Sequence, residues 1–143
     1  MANDPQRLKR LRRIEKVRAV AKEMKLAEAA RAESTLHQLR GLAERTRAMA
    51  AGYAARSDST HAGQLAGMFT FSQSLHHMSD KVSADAATAQ HLADRLGRDV
   101  HAAERSRATA QERADKYQAD MARSAATNYA DAAGRKGFGT KFE

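Results

Sequence analysis

Two long stretches of helical periodicity, separated by one polar break, dominate the chain. In the first stretch, apolar residues recur three and four positions apart, the spacing of one face of an α-helix. Asp4 and Pro5 are typical of a helix start, because aspartate caps free N–H groups and proline suits the first helical position. We predict helix one over about 5–56. Its apolar stripe comprises Leu8, Leu11, Ile14, Val17, Ala21 and Met24 and, after a phase shift, Ala29, Ala32, Leu36, Leu39, Ala43, Ala50 and Tyr53.

The interior break is a segment of turn-forming residues over 57–63, so we predict a loop over about 57–66. Helix two is expected over about 67–133, where Gly134 stops it, with a flexible basic tail over 134–143. The second apolar stripe is the more regular of the two, with Arg107 as its one charged member. It comprises Leu75, Met78, Val82, Ala86, Ala89, Ala93, Leu96, Val100, Ala103, Ala110, Ala114, Tyr117 and Met121.

Two long amphipathic helices joined by a short loop pack antiparallel. Folding the chain about residue 61 brings Pro5 opposite Tyr117, so helix two extends beyond the start of helix one. Much of the 42% apolar content is alanine and aromatic residues are only 5%, which favours an elongated structure over a compact globular core. The predicted fold is all-α: a single domain, 1–143, formed by an antiparallel two-helix coiled-coil hairpin with a longer C-terminal helix.

The net charge of +8 is concentrated near the two ends of the chain. Residues 1–25 hold nine basic and three acidic side chains, the last nine residues carry a net +2, and 26–134 are balanced. In the predicted hairpin both basic segments fall at the same end. The excess either keeps the helices soluble or binds an acidic surface of a protein, nucleic acid or anionic lipid. No nucleic-acid recognition module is visible, and the hairpin uses the apolar residues that a membrane surface needs, so a protein partner is favoured.

Residues for catalysis or metal binding are scarce in the sequence. Cysteine is absent, which removes disulfides, thiolate zinc sites and cysteine nucleophiles. None of the six histidines forms an i,i+4 pair, and no phosphate-binding loop or nucleophile elbow occurs. We predict a protein that is not an enzyme, with no catalytic, cofactor-binding or metal-binding residues and no small-molecule substrate. Without a membrane span or a secretory signal, a cytoplasmic location is expected.

Bulky apolar residues cluster at the start of helix two: Leu65, Met68, Phe69, Phe71 and Leu75. Phe69 and Phe71 are two positions apart and cannot both face the neighbouring helix. The cluster either seals the loop end of the hairpin or presents an apolar anchor to a partner. Both interpretations stay open from the sequence.

The segment Phe71-Ser72-Gln73-Ser74-Leu75, together with the chain length, the basic first helix and the mid-chain break, resembles the flagellar export protein FliJ family. Gln38 and Leu42 stand where that family places partner-facing residues on helix one. Arg45 and Met49 follow at matching spacing in place of tyrosines, and Met78 and Val82 also depart from the family pattern.

The resemblance implies a non-catalytic stalk and coupling component of the flagellar type III protein export apparatus, which serves flagellum assembly and motility. Such a protein regulates a hexameric export ATPase, binds an export-gate membrane protein and handles export chaperones. It is cytoplasmic and peripherally associated with the inner membrane at the flagellar base. The implied gate-facing set is Gln38, Leu42, Arg45, Met49, Phe71, Leu75 and Met78. The implied ATPase-facing basic set is Arg7, Lys9, Arg10, Arg12, Arg13 and Lys16.

Two other functions are consistent with the residues. A coiled-coil adaptor or scaffold would pair its apolar stripe with another copy or with a different helix. A basic helical protein that binds nucleic acid is the weaker alternative, and its affinity would fall steeply with salt. Stalk proteins of virulence secretion systems share the hairpin architecture, so the sequence alone does not distinguish them from flagellar ones. The oligomeric state and the exported cargo also stay open.

Overall fold

The computed structural model describes residues 4–55 and 62–136. Helix α1 spans Pro5–Ala55 and helix α2 spans Ala62–Lys136, with no strand in the described residues. The helices pack against each other in antiparallel orientation, since Ser72 contacts Ala50 and the later Ser79 contacts the earlier Ala43. The predicted all-α hairpin is therefore confirmed, and α2, at 75 residues, is longer than α1, at 51.

The start of α1 is capped as its sequence predicts. The Gln6 backbone N–H donates to Asp4 Oδ1 at 2.9 Å, and the Arg7 N–H donates to the Asp4 carbonyl at 3.0 Å. The side chain thus satisfies one of the donors that a helix start leaves unpaired. Tyr117 of α2 closes this end, because its hydroxyl accepts from Asp4 N at 3.1 Å and donates to Asp4 O at 3.3 Å. Because Asp4 directly precedes Pro5, the expected register, with Pro5 opposite Tyr117, is confirmed to within one residue.

Helix α2 is longer at both ends than the sequence predicted. It begins at Ala62, so the loop prediction was wrong for 62–66, and it continues to Lys136, so the tail prediction was wrong for 134–136. Glycine costs about 1 kcal/mol in a helix relative to alanine, yet Gly134 follows a run of helix-forming residues and keeps a helical backbone. The predicted loop residues 57–61 and tail residues 137–143 lie outside the described residues.

The chain divides into two compact units. The terminal unit contains 4–24 of α1 and 101–136 of α2, and the loop-side unit contains 25–55 and 62–100. In the loop-side unit the core is formed by Ala32, Leu36, Ala86 and Ala93, with Leu39, Ala89 and Leu96 packed against it. These are members of the predicted stripes, and the small side chains of the alanines among them allow the two backbones to approach closely.

Three polar side chains also belong to the loop-side core: Thr46, Ser72 and Ser79 are buried. The Ser72 hydroxyl donates to Ala50 O at 3.3 Å and the Ser79 hydroxyl to Ala43 O at 3.5 Å, so both bonds cross between the helices. Ser79 replaces Met78 in the predicted stripe, because a small hydroxyl fits between close backbones where a thioether does not. Met78 is exposed, which corrects its assignment to the stripe.

In the terminal unit, the predicted stripe of α2 is confirmed, whereas that of α1 is confirmed for Leu8 and Leu11 and wrong from Ile14 onward. Ala103, Arg107, Ala110, Ala114, Tyr117 and Met121 are buried or half-buried as expected. The residues of α1 that turn toward α2 are Leu8, Leu11, Glu15, Arg18 and Lys22, at spacings that average 3.5. The predicted stripe advanced by three residues three times in succession and so rotated away from that face. Ile14, Val17, Ala21 and Met24 are exposed.

Polar contacts between the helices replace apolar packing at these charged positions. Arg18 Nη1 donates to the Ser106 carbonyl at 3.0 Å, and Lys22 Nζ lies 3.1 Å from Glu104 Oε2. Glu104 also pairs with Arg107 at 2.7 Å. Hydrogen bonds from Arg107 first and Lys22 second lower the pKa of Glu104 to about 2. The carboxylate is therefore charged across the physiological range and links the two helices.

Candidate partner-binding surfaces

The loop-side unit carries an apolar patch that consists of Leu42 and Met49 on α1 and Phe71 and Met78 on α2. Each side chain is between 41% and 53% exposed. Each residue directly precedes a seam residue involved in a hydrogen bond between the helices: Ala43, Ala50, Ser72 and Ser79 in the same order.

The pairing of the seam residues places the four side chains on one face. In an antiparallel pair, a two-fold axis perpendicular to the plane of the helices relates equivalent positions and keeps them on the same face. The Ala43–Ser79 and Ala50–Ser72 contacts match such an axis, so the preceding residues share a face. The contact between Tyr53 and Phe71, with ring centroids 4.8 Å apart at 77°, is consistent with this arrangement. The T-shaped contact supports Phe71 from one side and leaves its other side open to a partner.

The remaining residues that the resemblance assigns to the gate contact occupy different positions. Gln38 and Arg45 are exposed on α1 at 3- and 4-residue spacings from Leu42 and Met49, which makes them neighbours of the patch along the helix. Leu75 is buried in the seam, so it packs between the helices and does not reach the patch. A sequence pattern does not separate these roles, since a leucine suits a seam and an interface equally well.

Phe69 and Phe71 are both exposed, and two residues of separation directs them to different sides of α2. Tyr53 contacts Phe71, whereas Phe69 is 67% exposed, more than the other large apolar side chains at this end of the described helix. Within the described residues, packing at the end of the hairpin therefore buries part of the Phe71 side chain and little of the Phe69 side chain.

Two members of the basic set are engaged in holding the terminal unit together. The Arg7 guanidinium lies 5.0 Å from the centre of the Tyr117 ring, a cation–π contact. Arg12 lies 2.9 Å from Glu15 and 2.8 Å from Asp115, and it donates to Gln118 Oε1 at 2.6 Å. The hydrogen bonds to Glu15 and then Asp115 raise the pKa of Arg12 above its usual value.

The other four members, Lys9, Arg10, Arg13 and Lys16, are exposed. None of them forms an ion pair with any residue of 4–55 or 62–136. Uncompensated charges of one sign attract a partner of the other sign and accelerate its association. These four residues are the part of the basic set that is available to a partner.

Other kinds of site have little support in the part of the chain that the structure describes. There, no group of three histidine or acidic side chains is arranged to hold a metal ion. Neither α1 nor α2, over its described length, has a segment that is both long and apolar enough to cross a membrane. No family model matches the chain, and no curated protein or solved structure matches it.

Sequence reasoning missed one surface, the outward side of α1 in the terminal unit. The prediction counted Ile14, Val17 and Met24 as hairpin contacts and did not consider Val20, yet all four are exposed. The heptad spacing of the sequence does indicate that these residues lie off the seam. Counting back from the core residue Leu36 in steps of seven gives positions 29, 22, 15 and 8, and none of these is Ile14, Val17, Val20 or Met24.

Proposed function

We propose that this protein is a non-catalytic stalk and coupling component of a flagellar type III protein export apparatus. In this proposal it binds an export ATPase ring through its basic set and an export-gate membrane protein through the apolar patch. The observation that carries the proposal is the patch itself. Its four residues are four of the seven that the resemblance to the FliJ family assigns to the gate contact.

The patch has the chemistry of a protein-binding site. Aromatic and methionine side chains are enriched at the centres of interfaces, and here they project from helices whose backbones are already ordered. Burying a whole Leu, Phe or Met side chain contributes about 1.5–3 kcal/mol. Because each patch residue is about half exposed, a partner that covers all four gains on the order of 3–6 kcal/mol. That gain is large enough for the patch to be essential to a moderate affinity.

The basic set supports the second contact. Lys9, Arg10, Arg13 and Lys16 have no ion pairs within the described residues, so an acidic surface on the ATPase would gain charge-assisted contacts without breaking existing ones. In the proposed setting the protein works in the cytoplasm and reaches the inner membrane only through the gate protein. Export chaperones are further partners under the same proposal.

The direct test measures binding to purified partners. An export ATPase and the cytoplasmic domain of an export-gate protein, from the organism that encodes this chain, are titrated with wild type and two variants. Phe71→Ala/Met78→Ala should weaken gate binding at least tenfold and leave ATPase binding unchanged. Arg10→Glu/Arg13→Glu/Lys16→Glu should weaken ATPase binding at least tenfold and leave gate binding unchanged. Leu92→Ala, which truncates an apolar side chain of similar exposure elsewhere on α2, is the matched control and should change neither affinity.

The result that contradicts the proposal is a folded wild-type protein that binds neither partner.

A specific observation favours the adaptor as the second candidate function, since Ile14, Val17 and Met24 are exposed on α1 at coiled-coil spacing. An adaptor would bind another helix through this face, and its binding would not require Phe71 or Met78.

A further inference from the structure

The outward side of α1 in the terminal unit carries a second apolar surface, the outer stripe, which consists of Ile14, Val17, Val20, Ala21 and Met24. Its four larger side chains are between 45% and 63% exposed. Residues 14, 17, 21 and 24 follow one another at intervals of three, four and three, which is the spacing of a coiled-coil seam. The hairpin does not use this seam, because the face of α1 toward α2 carries Leu11, Glu15, Arg18 and Lys22.

Basic side chains continue the outer stripe toward the start of α1. Arg10, Arg13 and Lys16 precede Ile14, Val17 and Val20 respectively by four residues, so each basic group lies one turn from an apolar one on the same side of the helix. All three are exposed and have no ion pair within the described residues. The surface thus combines an unpaired apolar seam with unpaired positive charge.

We propose that the outer stripe docks an amphipathic α-helix of a different, acidic protein. The apolar residues of that helix pack on Val17, Ala21 and Met24. Its glutamates or aspartates, flanking its own apolar face, pair with Arg10, Arg13 and Lys16. Seam spacing supplies the geometry for knobs-into-holes packing, and charges beside a seam set the choice of partner.

The charges disfavour a second copy of this chain as the occupant. Pairing two outer stripes brings the basic residues of both copies to the same contact, and Glu23 is the only acidic side chain between 16 and 24. Juxtaposed like charges oppose such a pair. The side-chain types disfavour a lipid surface, because helices that lie in a membrane interface carry Trp, Phe and Leu on their apolar face. The outer stripe has β-branched residues, alanine and methionine instead.

This inference does not depend on the export-stalk proposal. It concerns only the kind of helix that binds beside the basic set, whichever complex that helix belongs to. If an acidic helix binds and the export ATPase does not, the stalk proposal fails and the outer-stripe inference stands.

The test uses the full chain and two synthetic peptides of three heptads, each with Ile and Leu at the seam positions. One peptide has glutamate at the flanking positions and the other has lysine, and a fluorescent label reports binding by anisotropy. The glutamate peptide should bind wild type and the lysine peptide should not. Val17→Ser/Met24→Ser should weaken binding of the glutamate peptide at least tenfold. Leu92→Ser, at an exposed leucine of the loop-side unit that is remote in sequence, is the control and should leave binding unchanged.

Charge reversal gives the sharpest outcome. Arg10→Glu/Arg13→Glu/Lys16→Glu should lose the glutamate peptide and gain the lysine peptide, a switch that misfolding does not produce; circular dichroism checks the helix content of each variant. Binding of neither peptide, or equal binding of both, overturns the inference. So does self-association in sedimentation that Val17→Ser/Met24→Ser abolishes, which assigns the surface to a second copy. Stripe-dependent binding to phosphatidylglycerol vesicles without peptide binding assigns it to lipid and also overturns the inference.

Discussion

Truncation of Leu36 should destabilise the hairpin far more than truncation of Leu42, six residues further along the same helix. Leu36 is 2% exposed and packs among the alanines of the loop-side core, whereas Leu42 is 41% exposed in the apolar patch. Both changes to alanine remove the same atoms from the same helix. The comparison therefore isolates burial from helix propensity, which favours alanine equally at both sites.

The magnitude follows from the area that each side chain removes from water. Leucine to alanine deletes the equivalent of three methylene groups, or about 2.4 kcal/mol of transfer free energy at full burial. A residual cavity adds to this cost, and measured values range over about 2.7–5 kcal/mol. The neighbours of Leu36 belong to only two helices that can move closer together, so we expect about 3 kcal/mol for Leu36→Ala. Leu42→Ala should cost about 1 kcal/mol or less, since much of its side chain is already hydrated.

Urea unfolding followed by circular dichroism measures both free energies. With a slope of about 2 kcal/mol per molar urea, the midpoint should fall by about 1.5 M for Leu36→Ala and by about 0.5 M or less for Leu42→Ala. Equal shifts, or a larger shift for Leu42→Ala, would refute the assignment of the two leucines to seam and surface.

Three further predictions concern the terminal unit. Val17→Ser should change the unfolding free energy by less than about 1 kcal/mol, whereas Leu11→Ser, at a seam position, should cost about 2 kcal/mol in the same urea assay. The pKa of Glu104 is lowered to about 2, chiefly by Arg107, so its stabilising contribution is fully present above about pH 4.5 and is lost as the pH falls toward about 2. In Glu104→Gln, the melting temperature should fall less between about pH 4.5 and about pH 2 than it does in the wild type. An unchanged pH profile of the melting temperature would contradict the assignment. Tyr117→Phe removes the hydroxyl that bonds to the start of α1 and should accelerate amide hydrogen exchange in the first turn and not in the core.

The loop-side unit could be predicted from the sequence because its contacts follow a simple rule. Ala32, Leu36 and Ala43 recur at seam spacing on α1, as Ala86 and Ala93 do on α2, and all five are buried. A pairing estimated only from the position of the polar break also brought the start of α1 to Tyr117. Long helices with a short connection leave little freedom in register, so such an estimate succeeds.

The terminal unit could not be predicted in the same way, because charged side chains as well as apolar ones occupy its seam. Arg18 and Lys22 lie half-buried at positions that a count of apolar residues rejects, and they are satisfied there by Ser106 and Glu104. Their long apolar stems can pack while the charged ends reach partners, which sequence periodicity does not register. The apolar residues displaced from the seam by this arrangement form the outer stripe.

The surfaces were predicted only in part, for a related reason. The patch residues Leu42, Met49, Phe71 and Met78 were identified through the family resemblance, and their shared face depends on a register set by buried serines. The choice between Met78 and Ser79 for the seam rests on backbone approach and hydroxyl bonding, which composition does not reveal. Burial of Leu75 removes it from the surface for the same geometric reason.

We propose that the apolar patch is the docking site for an export-gate protein. Site-specific photocrosslinking in the cells that encode this chain tests it most directly, with the photoreactive residue placed at Phe71 and, as the control, at Leu92. Both positions lie on α2 and are similarly exposed. We expect a crosslinked product that contains the export-gate protein from position 71 and none from position 92. A gate adduct from both positions, or from neither while the protein is folded and expressed, would contradict it.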